Sequence, residues 1–151
     1  MDEKTKEAVM KKARDLLEAE WHCSEGVLIA VGERYFDVEP MIRLATPFAG
    51  GVGCAYEELC GALTGGIMVI GGAMGRSDAD TEDQACQDTA VAYRKAFLAH
   101  FGYLRCCELK ENWVGQPGQP DCVELVRQAA GVLVDVLGDA GAKQLTKVDK
   151  S

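Results

Sequence analysis

Wherever a period can be read along this chain, apolar residues recur at intervals of three and four, which is the period of a helix with one buried face. From Thr5 to Glu20, Val9, Ala13, Leu16, Leu17 and the neighbouring Ala8 form one stripe, with Lys and Glu elsewhere, so an amphipathic helix covering a core is expected. A second helix is expected from Cys23 to about Tyr35, with Val27, Leu28, Ala30 and Val31 facing inward and His22 or Ser24 as its N-cap. Glu39 to Ala45 reads as one short helix with Pro40 at its first position, ended by Thr46-Pro47. Ser77-x-x-Asp80 or Thr81-x-x-Gln84 can open the next helix. It places Ala85, Cys86, Thr89, Ala92, Tyr93, Ala96 and Phe97 at helical spacing and stops at Gly102. Asp121 caps a last helix that carries Val123, Val126, Ala130, Leu133 and Leu137 and stops at Gly138, leaving 139–151 as a loose tail.

Between these amphipathic segments lies Leu59 to Gly75, LCGALTGGIMVIGGAMG, the longest run without a charged residue. Its 17 residues fall short of the roughly 20 needed to span a bilayer, and six are glycine. Gly61 and Gly65 stand four apart, as do Ala62 and Gly66, so one helical face is almost bare of side chains. Each glycine costs about 0.8–1.0 kcal/mol against alanine inside a helix, a loss that close packing or a bound group must offset. The expected architecture is all-α: a single-domain bundle of about six helices around this central helix. No repeat, low-complexity block or composition break divides residues 1–151.

Composition narrows the function. The chain has 151 residues, 48% of them hydrophobic, with a net charge of −8 and a pI of about 4.8. That acidity argues against a nucleic-acid or anionic-membrane surface, both of which need clustered Lys and Arg. The charged N-terminus lacks the apolar core of a signal peptide, which points to the cytoplasm. Only His22 and His100 are available as unperturbed neutral-pH bases, and neither accompanies a nucleophile motif, so a stand-alone enzyme is not expected. The glycines of Ala49 to Gly53 lack the Gly-Lys-Ser/Thr of a phosphate-binding loop.

Seven cysteines remain to be explained. No Cys-x-x-Cys occurs, so thioredoxin-type and zinc-ribbon signatures are missing and any cysteine site must be assembled by the fold. Cys23 and Cys122 are each expected in a first helical turn, where unpaired N–H groups favour a thiolate. Cys86 falls on an apolar stripe, and core packing accounts for it. Cys54 reads as a small loop residue. Of the adjacent Cys106 and Cys107, one should be a bystander, because neighbouring helical side chains diverge by about 100°.

Cys60-Gly61-Ala62-Leu63-Thr64-Gly65 matches CGAxxG, and Cys23 opens a Cys-x-x-x-Val-Leu run. Cys106 stands in Cys-x-Glu-Leu, and Cys122 opens Cys-Val-Glu-Leu-Val. In order and spacing, from about Cys23 to Leu137, this resembles the C_GCAxxG_C_C family of small redox-active proteins. Similar domains occur with redox centres in split-Soret-type cytochromes, whose haem-binding part has no counterpart here.

The resemblance implies a four-cysteine site of Cys23, Cys60, Cys106 and Cys122, with Gly61 and Gly65 giving a cofactor room, and it alone selects Cys106 over Cys107. Four thiolates suit a [2Fe–2S] or [4Fe–4S] cluster, or tetrahedral zinc, although zinc cysteines usually come as closely spaced pairs. The expected function is electron transfer or redox sensing with a redox partner protein, without membrane insertion; homo-oligomerisation stays open. Two alternatives stand beside it: a cofactor-free thiol–disulfide protein and a non-catalytic helical interaction module whose cysteines simply pack.

Overall fold

The computed structural model describes the backbone of residues 1–148 and the side chains of residues 1–138. It contains α1 (Glu3–Glu18), α2 (Cys23–Gly32), α3 (Ile42–Ala45), α4 (Gly61–Met74), α5 (Gln84–Phe101), α6 (Cys106–Asn112) and α7 (Cys122–Val148). Among the described residues there is no strand, only the isolated bridges Leu59–Arg105 and Gln116–Gln119. The fold is all-α. No described helix is long and apolar enough to cross a membrane.

The central helices are α2, α4 and α7; α1 closes the side formed by α2 and α7, and α5 closes the side formed by α4 and α7. Burial follows the amphipathic stripes. Val9 and Ala13 of α1, Val27, Leu28, Ala30 and Val31 of α2, and Val126, Ala130, Leu133 and Leu137 of α7 form one core with Leu63, Val69 and Ile70 of α4. On α5 the inward positions are Thr89, Tyr93, Phe97 and Phe101, while Ala85 and Ala92 face solvent. The Phe97 ring stacks at a tilt on Phe101, 4.5 Å between centroids, and Phe101 meets Trp113 edge-on at 5.4 Å. Such aromatic pairs add about 0.5–1.5 kcal/mol beyond burial.

Glycine lets α4 sit this deep. A Cβ at Gly65 would run into the backbone of Ser24, colliding with its carbonyl oxygen and lying 3.0 Å from its C and Cα atoms. A Cβ at Gly66 would strike the ring of Tyr93, whose hydroxyl donates to the Ala62 carbonyl at 3.1 Å. A Cβ at Gly72 would strike the ring of Phe36. The bare face is therefore filled by protein: the α2 backbone on one stripe, the Tyr93 ring on the next.

Several boundaries differ from the sequence expectation. α2 stops at Gly32 rather than near Tyr35, because the chain turns there and brings Phe36 back against Gly32 and Gly72. Glu39 to Ala45 is not one helix but a 3₁₀ turn over Glu39–Met41 followed by the four-residue α3, and a second 3₁₀ turn crosses Thr46–Phe48. α5 follows Asp83; the Thr81 hydroxyl bonds Asp78 at 2.9 Å instead of capping the helix. The segment at Cys106 forms the additional helix α6. α7 continues past Gly138 to Val148, since a lone glycine weakens a helix without ending it. The packing of the tail expected at 139–151 lies outside the described residues.

Two alanine substitutions in α4 separate close packing from simple helix propensity. Gly65→Ala should lower the melting temperature, with overpacking costs of about 1–3 kcal/mol outweighing the propensity gain. Gly71→Ala, where no atom lies within 4 Å of the new methyl group, should raise it through a gain of up to about 1 kcal/mol. Equal shifts of the same sign in thermal denaturation would contradict the packing described.

Candidate functional site

Four chain segments meet at one end of α4. Cys23 is the first residue of α2, after His22 in extended conformation. The start of α2 is tied down on both sides of Cys23: the His22 N–H donates to Glu25 Oε1 at 3.0 Å and the Ser24 hydroxyl to the Ala45 carbonyl at 2.7 Å. Glu25 is buried, and its second oxygen accepts from the Thr46 hydroxyl at 2.7 Å, so neither carboxylate oxygen is left unpaired. Cys60 is the N-cap of α4, its own N–H donating to the Leu104 carbonyl at 2.8 Å.

Cys106 opens α6, and a short lattice of backbone bonds fixes it relative to Cys60. Leu59 pairs antiparallel with Arg105, the Cys106 N–H donates to Glu58 at 2.9 Å and the Cys107 N–H to Tyr56 at 2.7 Å. Arg105 adds a side-chain bond to the Glu57 carbonyl at 2.8 Å. Cys122 is the first residue of α7, capped by Asp121, which accepts from the Glu124 N–H at 2.9 Å.

Over Cys106 lies a loop of uncommon backbone. Gly50, Gly51, Val52, Gly53 and Cys54 all have positive φ, between 55° and 68°. Three glycines make this left-handed turn affordable, whereas β-branched Val52 is strained there. Gly51 must be glycine for a second reason: a Cβ would lie 2.7 Å from Cys106 Cβ.

The four sulfurs act on one another. Cys23 Sγ occupies the space where a side chain at Gly61 would begin. Cys23 is near enough for its charge to raise the pKa of Cys60, Cys106 and Cys122; Cys60 also feels Cys106, and Cys106 also feels Cys122. Burial is the larger influence on all three. It pushes the Cys106 thiol up to about 11 and raises Cys60 and Cys122 as well.

At Cys60 the Ala62 and Leu63 N–H groups favour the thiolate, but burial outweighs them. At Cys122 burial likewise outweighs position in the first turn of α7, and the carboxylate of its own cap, Asp121, raises the thiol further. The thiolate expected there from the helix end is thus not favoured in the protein alone.

Of the residues singled out from the sequence, Cys23 lies near enough to Cys60, Cys106 and Cys122 to influence each, and Gly61 lies against the Cys23 sulfur. Gly65 packs on Ser24 instead, one turn away. Cys54 is exposed in the left-handed turn, half-buried Cys86 lies near Asp83 on α5, and half-buried Cys107 turns its N–H to Tyr56. Two polar neighbours were not foreseen, Glu25 and Lys110. Lys110 stands one helical turn beyond Cys106, a spacing that places both on one face of α6 and was readable in the sequence.

Among the described residues no three His, Cys, Asp or Glu side chains converge closely enough to hold a single metal ion. A tetrahedral ion with metal–sulfur bonds near 2.3 Å needs its sulfurs about 4 Å apart. A [4Fe–4S] cluster takes its thiolates at four different irons, so its ligands stand farther apart, whereas a [2Fe–2S] cluster takes two thiolates at each iron. The donor set of four cysteines and no histidine suits such a cluster. A bound cation would also reverse the local charge balance, letting buried thiols ionise.

Residues 21–136 match the family described as Putative redox-active protein (C_GCAxxG_C_C). No curated protein and no solved structure matches the chain significantly.

Burial orders the thiols of the metal-free protein. Alkylation near neutral pH should label exposed Cys54 before Cys60, Cys106 and Cys122, as read by peptide mass spectrometry. The raised Cys106 pKa also has a stability consequence. Between 9.0, its ordinary value, and about 11 the folded chain holds a proton that the unfolded chain has released. This contribution is complete below the lower value and is lost as pH rises through the upper one. Metal-free wild type should therefore lose stability more steeply across that window than Cys106→Ser. Parallel profiles would contradict the burial of this thiol.

Proposed function

Because the chain belongs to the C_GCAxxG_C_C family of redox-active proteins, we propose that Cys23, Cys60, Cys106 and Cys122 form one iron–sulfur site that transfers or senses electrons. The observation that carries the reading is that Cys23, seated against Gly61 next to Cys60, stands near enough to Cys60, Cys106 and Cys122 for its charge to raise each thiol. Two arguments favour iron–sulfur over zinc. Redox activity needs a centre that changes oxidation state, which Zn²⁺ does not. The four cysteines also come singly along the chain, whereas zinc cysteines usually come as closely spaced pairs.

Bound at these thiolates, the cluster supplies a one-electron couple. The chain provides the rest. Cys60 and Cys106 are held on interlocked backbone, Cys23 sits against Gly61 without an intervening side chain, and buried surroundings limit water at Cys60 and Cys106.

The thiol–disulfide reading has one observation in its favour, the seating of the Cys23 sulfur against Gly61, next in sequence to Cys60. Oxidation would join the two sulfurs and pass two electrons and two protons to a partner disulfide. Against it, burial raises the Cys60, Cys106 and Cys122 thiols, which makes them poor attacking thiolates near neutral pH.

Single Cys→Ser variants prepared without oxygen test the assignment. Substitution at 23, 60, 106 or 122 should abolish stoichiometric iron and acid-labile sulfide, while Cys54→Ser, Cys86→Ser and Cys107→Ser keep wild-type content. Loss at Cys107 with retention at Cys106 would move that ligand by one position. Wild-type protein without iron but with one reversible disulfide would replace the cluster reading with the thiol one.

A further inference from the structure

We propose that Lys110, held over the Tyr56 ring one turn beyond Cys106, sets the reduction potential of the cysteine site. The inference rests on the cluster form of the redox reading above. The Lys110 Nζ lies 4.3 Å from the centre of the Tyr56 ring. Tyr56 is itself anchored, its N–H donating to the Gly50 carbonyl at 2.8 Å and its carbonyl accepting from Cys107 at 2.7 Å. The ammonium thus lies against the left-handed loop over Cys106.

Among the described residues Lys110 makes no ion pair with a carboxylate, so its charge is not already neutralised. Its charge reaches both Cys106 and Cys122, on two different helices, opposing the carboxylate of Asp121 and the other sulfurs. In a chain of net charge −8 this cation stands where negative charge would accumulate.

Reduction makes a cluster site more negative by one charge, the electron coming from an external one-electron reductant; a disulfide reduced to two protonated thiols gains none. A fixed positive charge stabilises the reduced cluster, so its removal makes the cluster couple more negative. Because Lys110 is exposed, dissolved salt should screen the effect.

The test compares wild type with Lys110→Gln and Lys110→Arg, all prepared anaerobically, with iron, sulfide and circular dichroism recorded for each. Midpoint potentials of the iron-bound proteins are read by voltammetry. Lys110→Gln should keep wild-type folding and iron content and show a more negative potential. Lys110→Arg should return most of the way to wild type, and the gap between wild type and Lys110→Gln should narrow at high salt. Equal potentials in all three proteins at wild-type iron content would overturn the role of Lys110 and leave the cysteine site standing. Loss of iron in Lys110→Gln with retention in Lys110→Arg would also overturn it, since the cation would then serve assembly. A wild type that binds no iron would overturn the cluster reading and this inference together.

Discussion

The α2 backbone can approach α4 closely because Gly61 and Gly65 have no side chains. The Ser24 carbonyl lies where a methyl group at position 65 would be, and the Cys23 sulfur lies where one at position 61 would be. That approach decides which residues become neighbours. It seats the first residue of α2 beside the N-cap of α4, and it makes room on the adjacent stripe for Tyr93, whose hydroxyl bonds Ala62. Each glycine weakens α4 as an isolated helix, so the helix depends on its packing partners more than most. Packing and site are one arrangement here, since the contact that stabilises the glycine helix is also the contact that positions two of the cysteines.

Helix-end polarity and burial oppose each other at the sulfurs. Cys23, Cys60, Cys106 and Cys122 all stand at helix beginnings, where N–H groups favour negative charge. Burial works against this at Cys60, Cys106 and Cys122 and raises all three thiols. Protein alone therefore keeps these thiols protonated, while the helix ends are aligned to support thiolates once a cation compensates the charge. Lys110 supplies part of that compensation at the surface, and a bound cluster would supply the remainder.

Much of this was legible in the sequence, for identifiable reasons. Long amphipathic stripes gave the core-facing positions of α1, α2, α5 and α7, because burial on one side of a helix imposes a period that few alternatives share, but they also took in the exposed alanines Ala8, Ala85 and Ala92. The glycine spacing in α4 identified a face of close approach, though not that Ser24 and Tyr93 would occupy it. Short elements were less legible. The 3₁₀ turns around α3 and the left-handed turn at Gly50–Cys54 arise from tertiary hydrogen bonds and contacts, such as Tyr56 to Gly50 and Gly51 against Cys106, that leave no local period. Helix polarity at Cys122 was read correctly from Asp121, but its outcome was not. Desolvation depends on what covers the thiol, and that is a property of the whole fold.

The account stands on four cysteines from four separate helices serving one polynuclear centre. The most direct measurement is iron K-edge X-ray absorption on anaerobically prepared protein. A first shell of sulfur alone, with iron neighbours in the next shell, is the result the account predicts. A first shell of oxygen or nitrogen without iron neighbours would mean adventitious metal and would contradict it.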